Sequence, residues 1–211
     1  MSDLDKLKDA IYDGDLDSAI AITNKALQEE IDPEVILNAG LIAGMNRVGE
    51  SFKNNEIYVP EVLIAARAMK SALAILEPGL IEAGVEPIGT IVIGTVQGDL
   101  HDIGKNLVAM MLKGAGFNVV DLGTDISPEQ FLRAAQEHNA SILGLSTLLT
   151  TTMPMMQKTI TTLNEKGLGA QVMIGGAPVT QEYADKIGAS GYAADAATAV
   201  DIAKQLAGVN A

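Results

Sequence analysis

Between residues 94 and 106 the chain reads Gly94-Thr95-Val96-Gln97-Gly98-Asp99-Leu100-His101-Asp102-Ile103-Gly104-Lys105-Asn106. This stretch sets an imidazole two residues from one carboxylate and beside another. A carboxylate that accepts from one ring nitrogen fixes the tautomer and makes the other nitrogen a better metal donor. A phosphate loop ending in Gly104-Lys105 would need glycine at 99 and a hydroxyl residue at 106, where Asp99 and Asn106 stand. No Gly-x-Gly-x-x-Gly occurs here either, and Asp99 and Asp102 would repel a phosphate. A loop histidine beside an aspartate also suits a helix-capping or surface pair. A zinc or iron site would need further ligands. The chain has no cysteine, and its other histidine, His138, falls in a predicted helix away from these loops. One protein imidazole suffices only where something else, such as a macrocycle, supplies the remaining donors.

Two further loops carry unusual residues. Ser146-Thr147-Leu148-Leu149-Thr150-Thr151-Thr152-Met153-Pro154 gathers five hydroxyls after an apolar run. Thr152 or a neighbour is expected to cap the helix that Pro154 opens, which accounts for one hydroxyl and not for five. A cleft lined with hydroxyls suits a neutral ligand rich in heteroatoms. Gly175-Gly176-Ala177 comes after another apolar run; without side chains it lets a flat or bulky group approach the backbone, or makes an ordinary turn.

The elements that must position these loops can be read from the periodicity. From Thr90 onward, apolar runs alternate with helical stretches: Ile91-Val92-Ile93, Val119-Val120, Ile142-Leu143-Gly144-Leu145, Val172-Met173-Ile174, and a weak fifth near Ala189–Ala193. Five such units predict an open parallel sheet with helices on both faces, whose ligands bind beyond the carboxyl ends of the strands where strand order reverses. Residues 1–86 instead keep helical spacing throughout. Leu4, Leu7 and Ile11 stop at Gly14, and Leu16 to Leu27 repeat the pattern. Asp32-Pro33 then opens a helix carrying Val35, Ile36, Leu41, Ile42, Met45 and Val48 toward Phe52. A polar loop, Lys53 to Glu56, leads to a fourth helix opening at Pro60 and ending near Pro78-Gly79. These predict a four-helix bundle. Glu77 to Gly89, with two prolines and three glycines, reads as the linker. The expected division is 1–88 helical and 89–211 α/β.

Composition excludes several functions. The 211 residues carry a net charge of −13, with −9 in residues 1–86 and −4 in 87–211. Such a chain repels nucleic acid and anionic membranes. With no cysteine there are no disulfides, thiolate metal sites, iron–sulfur clusters or thiol nucleophile. The start, Met1-Ser2-Asp3-Leu4-Asp5, lacks the basic-then-apolar order of a secretory leader, so a soluble cytoplasmic protein is expected.

Asp99-x-His101-x-x-Gly104, Ser146-x-Leu148 and Gly175-Gly176, in a five-unit parallel fold, resemble the cobalamin-binding domain of corrinoid methyl carriers. The helical half, with Gly44-Met45-Asn46-Arg47-Val48-Gly49, Phe52 and Val59-Pro60, is similar to the cap of those proteins and of cobalamin-dependent methionine synthase. The resemblance implies an α-helical cap followed by a flavodoxin-like (Rossmann-type) domain that binds methylcobalamin or a related corrinoid. His101 would replace the cofactor's own base as the lower cobalt ligand. Asp99 would bond the far ring nitrogen, and Thr152, where methionine synthase has serine, would extend the relay. The nucleotide tail would thread past Gly98, Gly104, Ser146, Thr150, Gly175 and Gly176, with Leu100, Asp102, Ile103 and Leu148 also lining the site. Phe52 and Val59 would lie over the upper corrin face, and residues 77–89 would serve as the hinge that moves the cap.

The function so implied is methyl transfer on cobalt, between a substrate-specific methyltransferase and an acceptor methyltransferase using a folate, pterin or thiol, with a reductive activase for cobalt. The hard chemistry is the cofactor's, so the missing protein nucleophile is no obstacle. Three other functions share the α/β architecture. An adenosylcobalamin mutase subunit would need open space above the corrin, against which the attached bundle argues. A cobalamin-dependent sensor would carry a basic output element where this bundle is acidic. A phosphoacceptor receiver would need clustered acids after the first strand.

Overall fold

The computed structural model describes residues 3–209, so Met1 and Ser2 of the acidic start lie outside the described residues. The chain forms two compact units, one running to Pro87 and one from Ile88, apart from the turn Gly114–Gly116, which groups with the first.

In the first unit, α1 spans Asp3–Tyr12 and α2 Leu16–Gln28. Asp15 caps α2 by accepting from the Ser18 N–H, and Asp32 caps the next helix, with Pro33 in its first turn. That third helix is continuous but not uniform: α3, Pro33–Val35, passes into π-helical turns at Ile36–Ile42 and then into α4, Ala43–Lys53. The wider turns rotate the apolar face, so Ile36, Leu41, Met45 and Val48 are buried while Val35, expected inside, is exposed. Gly40 and Gly44 let α1 come close; a methyl on Gly44 would stand 2.7 Å from the Ile11 Cβ. The last helix, α5, spans Val59–Glu82. It corrects the expected stop at Pro78-Gly79, because Pro78 sits inside it. A proline forfeits one bond in its own turn, but the helix closes normally beyond it, where the Ala83 N–H donates to the Gly79 carbonyl. Residues 77–82 are therefore helical, and the expected linker shrinks to residues 83–89, between the end of α5 and the first strand.

The second unit is a five-stranded parallel sheet in the order β2-β1-β3-β4-β5. Its strands are β1 Thr90–Thr95, β2 Asn118–Asp121, β3 Ile142–Ser146, β4 Gln171–Gly175 and β5 Gly191–Ala193. The connecting helices are α6 Ile103–Gly114, α7 Pro128–Glu137, α8 Met153–Glu165, α9 Gln181–Ile187 and, after β5, α10 Ala196–Leu206. This is the flavodoxin-like order, reversing between β1 and β3. The central strands read as unbroken apolar runs because both faces are covered, and Val92, Leu143, Leu145, Val172 and Ile174 pack with Phe131, Met156 and Ile160. Ser127 and Gln130 form a reciprocal capping box at the start of α7. Thr95, Ser146 and Gly175 are register partners across β1, β3 and β4, so the three loops singled out above leave the sheet side by side at its carboxyl edge.

Candidate functional site

The site is built around Asp99, whose side chain is wholly buried in the loop after β1. Its Oδ1 accepts the His101 backbone N–H at 3.0 Å and lies 2.7 Å from His101 Nδ1. Its Oδ2 accepts the N–H groups of Leu148 and Leu149 at 2.7 and 3.2 Å, and lies 2.8 Å from Thr147 Oγ1 and 3.1 Å from Thr152 Oγ1. Burial alone would push this carboxyl up. The N–H groups of His101 and Leu148, with the His101 and Thr147 side chains, outweigh it and hold the group well below the usual carboxylate range. Asp99 is thus ionised and can only accept, so Nδ1 of His101 carries the ring proton and donates it. In the neutral form of that ring Nε2 keeps its lone pair, on a side chain that is 52% exposed.

The neighbouring strands hold this loop on both sides. Thr95 donates its hydroxyl to the His101 carbonyl. Beyond β2, Asp125 accepts the Gly98 N–H at 2.7 Å and returns its own N–H to the Asp99 carbonyl at 3.0 Å. Lys105, buried in the first turn of α6, reaches Asp121 at the end of β2 at 2.5 and 2.6 Å and Asn106 at 2.7 Å. Asn106 in turn donates to Asp102.

The sequence-selected residues fall on both units. Gly98, Asp99, Leu100, His101, Asp102, Ile103 and Gly104 form the loop after β1, which runs into α6. Ser146, Leu148, Thr150 and Thr152 lie at or after the end of β3, and Gly175 and Gly176 at or after the end of β4. All of these belong to one edge of the second unit. Phe52 ends half-buried in the last turn of α4 and Val59 opens α5 exposed, both in the first unit. The capping expectation for Thr152 is corrected: it occupies the N-cap position of α8 but makes no capping bond, its hydroxyl lying instead among Asp99, Thr147 and the Leu149 carbonyl. Gly176, with φ +132°, has a structural task, since a Cβ there would run into the Thr147 carbonyl oxygen. Residues that sequence reasoning missed are Thr147, Asp125 and the Lys105–Asp121 pair. Only Thr147 left a local signal, as an early member of the hydroxyl run.

Among the described residues no three His, Asp or Glu side chains cluster as a metal cage. The imidazole is bordered instead by exposed apolar groups: Leu100 (73% exposed), Ile103 (84%), Leu148 and Leu149. A Cβ on Gly104 would meet nothing within 4 Å. One oriented nitrogen donor amid open apolar surface fits a large flat group that brings its own equatorial ligands. No described helix is long and apolar enough to cross a membrane.

Comparison with known proteins agrees with this chemistry. Residues 89–201 match a B12 binding domain family, and residues 3–77 match a second B12 binding domain family. A corrinoid protein of Desulfitobacterium hafniense is 46% identical, with 99% of each chain covered. A dimethylamine corrinoid protein of Methanosarcina acetivorans is 46% identical over 96% of this chain and 95% of its own. Among solved structures, a cobalamin-binding protein from Desulfitobacterium hafniense superposes with a TM-score of 0.82 at 31% identity, covering 98% of this chain and 99% of the other. The methanol:cobalamin methyltransferase complex from Methanosarcina barkeri gives 0.85 at 31% identity, covering 96% and 78%. The chain belongs to the corrinoid methyl-carrier proteins, with cobalamin or a related corrinoid as its cofactor.

Proposed function

We propose that this protein carries a methyl group on a corrinoid bound with His101 as its lower ligand, receiving the group from a substrate-specific methyltransferase and surrendering it to an acceptor methyltransferase. The observation that carries this reading is the half-exposed side chain of His101, whose Nδ1 is tied at 2.7 Å to a buried carboxylate, so that Nε2 is the ring nitrogen left to bind. The bound cofactor supplies a nucleophilic cobalt for the methyl group. The residues around it orient and tune: Asp99 fixes the imidazole tautomer and raises its donor strength, and the hydroxyls behind Asp99 moderate that effect. Leu100, Ile103, Leu148 and Leu149 offer apolar contact, while Gly98, Gly104, Ser146, Thr150, Gly175 and Gly176 border the path of the nucleotide tail.

Relatives named for dimethylamine and trimethylamine, and a structural neighbour from a methanol system, support small one-carbon donors as the substrate class, chosen by the partner enzyme. A reductive activase would restore oxidised cobalt. The test is electron paramagnetic resonance of the loaded protein in its Co(II) state. Splitting by one imidazole nitrogen is expected, and it disappears in His101→Ala. A wild-type signal split by the cofactor's own base, or unsplit, overturns the ligand assignment.

A further inference from the structure

The arrangement behind Asp99 contains more hydroxyls than the carboxylate has room for. A carboxylate offers about four lone-pair sites. Oδ1 is occupied by the two His101 donors, and Oδ2 already takes the N–H groups of Leu148 and Leu149. Thr147 and Thr152 then compete for the same oxygen, at 2.8 and 3.1 Å, while their own oxygens lie 2.5 Å apart. Two hydroxyl oxygens at that separation must share a proton, or their lone pairs would face each other. One O–H then lies between the threonines, and the other has Asp99 Oδ2 and the Leu149 carbonyl as acceptors. Thr147 is nearer the carboxylate, at 2.8 against 3.3 Å, and Thr152 nearer the carbonyl, at 2.9 against 3.1 Å, which assigns the O–H on Asp99 to Thr147.

We propose that Thr147 is a further positioning residue for His101, the hydroxyl through which Thr152 reaches Asp99, so that the buried order is Thr152, Thr147, Asp99, His101. Two features support the assignment. Thr147 is almost fully buried. Its backbone is also seated against the turn after β4: the Thr147 N–H donates to the Gly175 carbonyl, and only a glycine at 176 leaves space for the Thr147 carbonyl. The glycine pair thereby holds the hydroxyl in place. The consequence is electronic. An O–H donated to Oδ2 draws charge from the carboxylate, weakens its pull on the Nδ1 proton and makes Nε2 a milder axial donor; a donor chain of two hydroxyls strengthens the effect.

This inference rests on His101 being the cobalt ligand, and the measurement separates the two. The Co(II)/Co(I) midpoint potential of the loaded full-length protein is compared across Thr147→Val, Thr147→Ser and Thr152→Val, with the nitrogen splitting of the Co(II) spectrum read on the same samples. Thr147→Val is expected to shift the midpoint to more negative potential and enlarge the nitrogen splitting. Thr147→Ser is expected to stay at the wild-type value, and Thr152→Val to shift less than Thr147→Val. If Thr147→Val does not fold, Thr147→Ala is read in its place. A shift in Thr152→Val equal to or larger than that of the Thr147 variant overturns the order. An unmoved midpoint in the Thr147 variant, a shift to less negative potential, or equal shifts in Thr147→Val and Thr147→Ser overturns the role. Absence of imidazole splitting in the wild type would instead sink the ligand assignment itself.

Discussion

The two units differ in whether they bury a charge. In the helical unit the ion pairs lie on the surface: Asp3 with Lys6 and Lys25, and Asp9 with Arg47, which also stacks on the Tyr12 ring. The interior between its helices is aliphatic and small, with Ala19, Ala65, Ala68 and Ala72 packed among Leu7, Ile11 and Leu76. In the sheet unit, Asp99 and Lys105 are buried, each surrounded by bonds from a neighbouring strand or loop. Surface pairs are screened by water and salt and contribute little. Buried charges are costly unless every bond is made, so they fix local geometry far more tightly than they add stability. The bundle is therefore specified mainly by shape and the site mainly by polar satisfaction. An imidazole held in one orientation by a buried carboxylate needs the second kind of precision.

Substitutions that remove one partner of a buried charge would test this contrast most severely. Asp121→Ala would leave the Lys105 ammonium with Asn106 as its remaining partner, and is expected to cost about 3 kcal/mol in urea unfolding of the full chain. Retention of wild-type stability would break the contrast.

Asp99→Asn comes next. Its amide nitrogen would face donors on whichever side it took, so a loss of ~2 kcal/mol at neutral pH is expected. The pH dependence has a definite sign. The folded-state pKa of Asp99 lies below the unfolded value, so its stabilisation is complete above about pH 4 and drains away as the pH falls towards the folded value. The gap in stability between wild type and Asp99→Asn should therefore narrow in acid, and a gap that widened would refute the bonding described.

A shape defect in the helical unit should do less. A methyl on Gly44 would press on Ile11 and stand 3.0 Å from the Lys8 carbonyl. Gly44→Ala is expected to cost about 1 kcal/mol, overpacking being partly offset by better helix propensity. Cobalt spectra would be unaltered. Least of all, Lys25→Ala removes an exposed partner of Asp3 and should leave the thermal midpoint at the wild-type value in physiological salt.

Much of the architecture is legible locally. Apolar runs followed by polar loops and helical spacing announce a parallel sheet, and Asp32-Pro33 and Ser127-Pro128 mark helix starts that the chain uses. Pro78 misleads because one lost bond does not end a helix that continues on either side of it. The π-helical turns at 36–42 leave no composition signal, since they depend on how the helix seats against its neighbours.

The order of residues along the chain was enough to establish an acidic two-part protein, a sheet with ligand loops at its carboxyl edge, and an Asp-x-His pair able to present one nitrogen to a metal. Tertiary structure alone decided that Thr147 stands behind that pair together with Thr152, which the resemblance had implied. Thr147 and Thr152 meet Asp99 from 48 and 53 residues away, and Lys105 meets Asp121 across 16. Those meetings depend on β1 lying between β2 and β3 and on the register that sets Thr95 beside Ser146. Helix and strand periodicity reports which way a side chain faces within its own element. The partner it finds there depends on strand order, which periodicity does not encode.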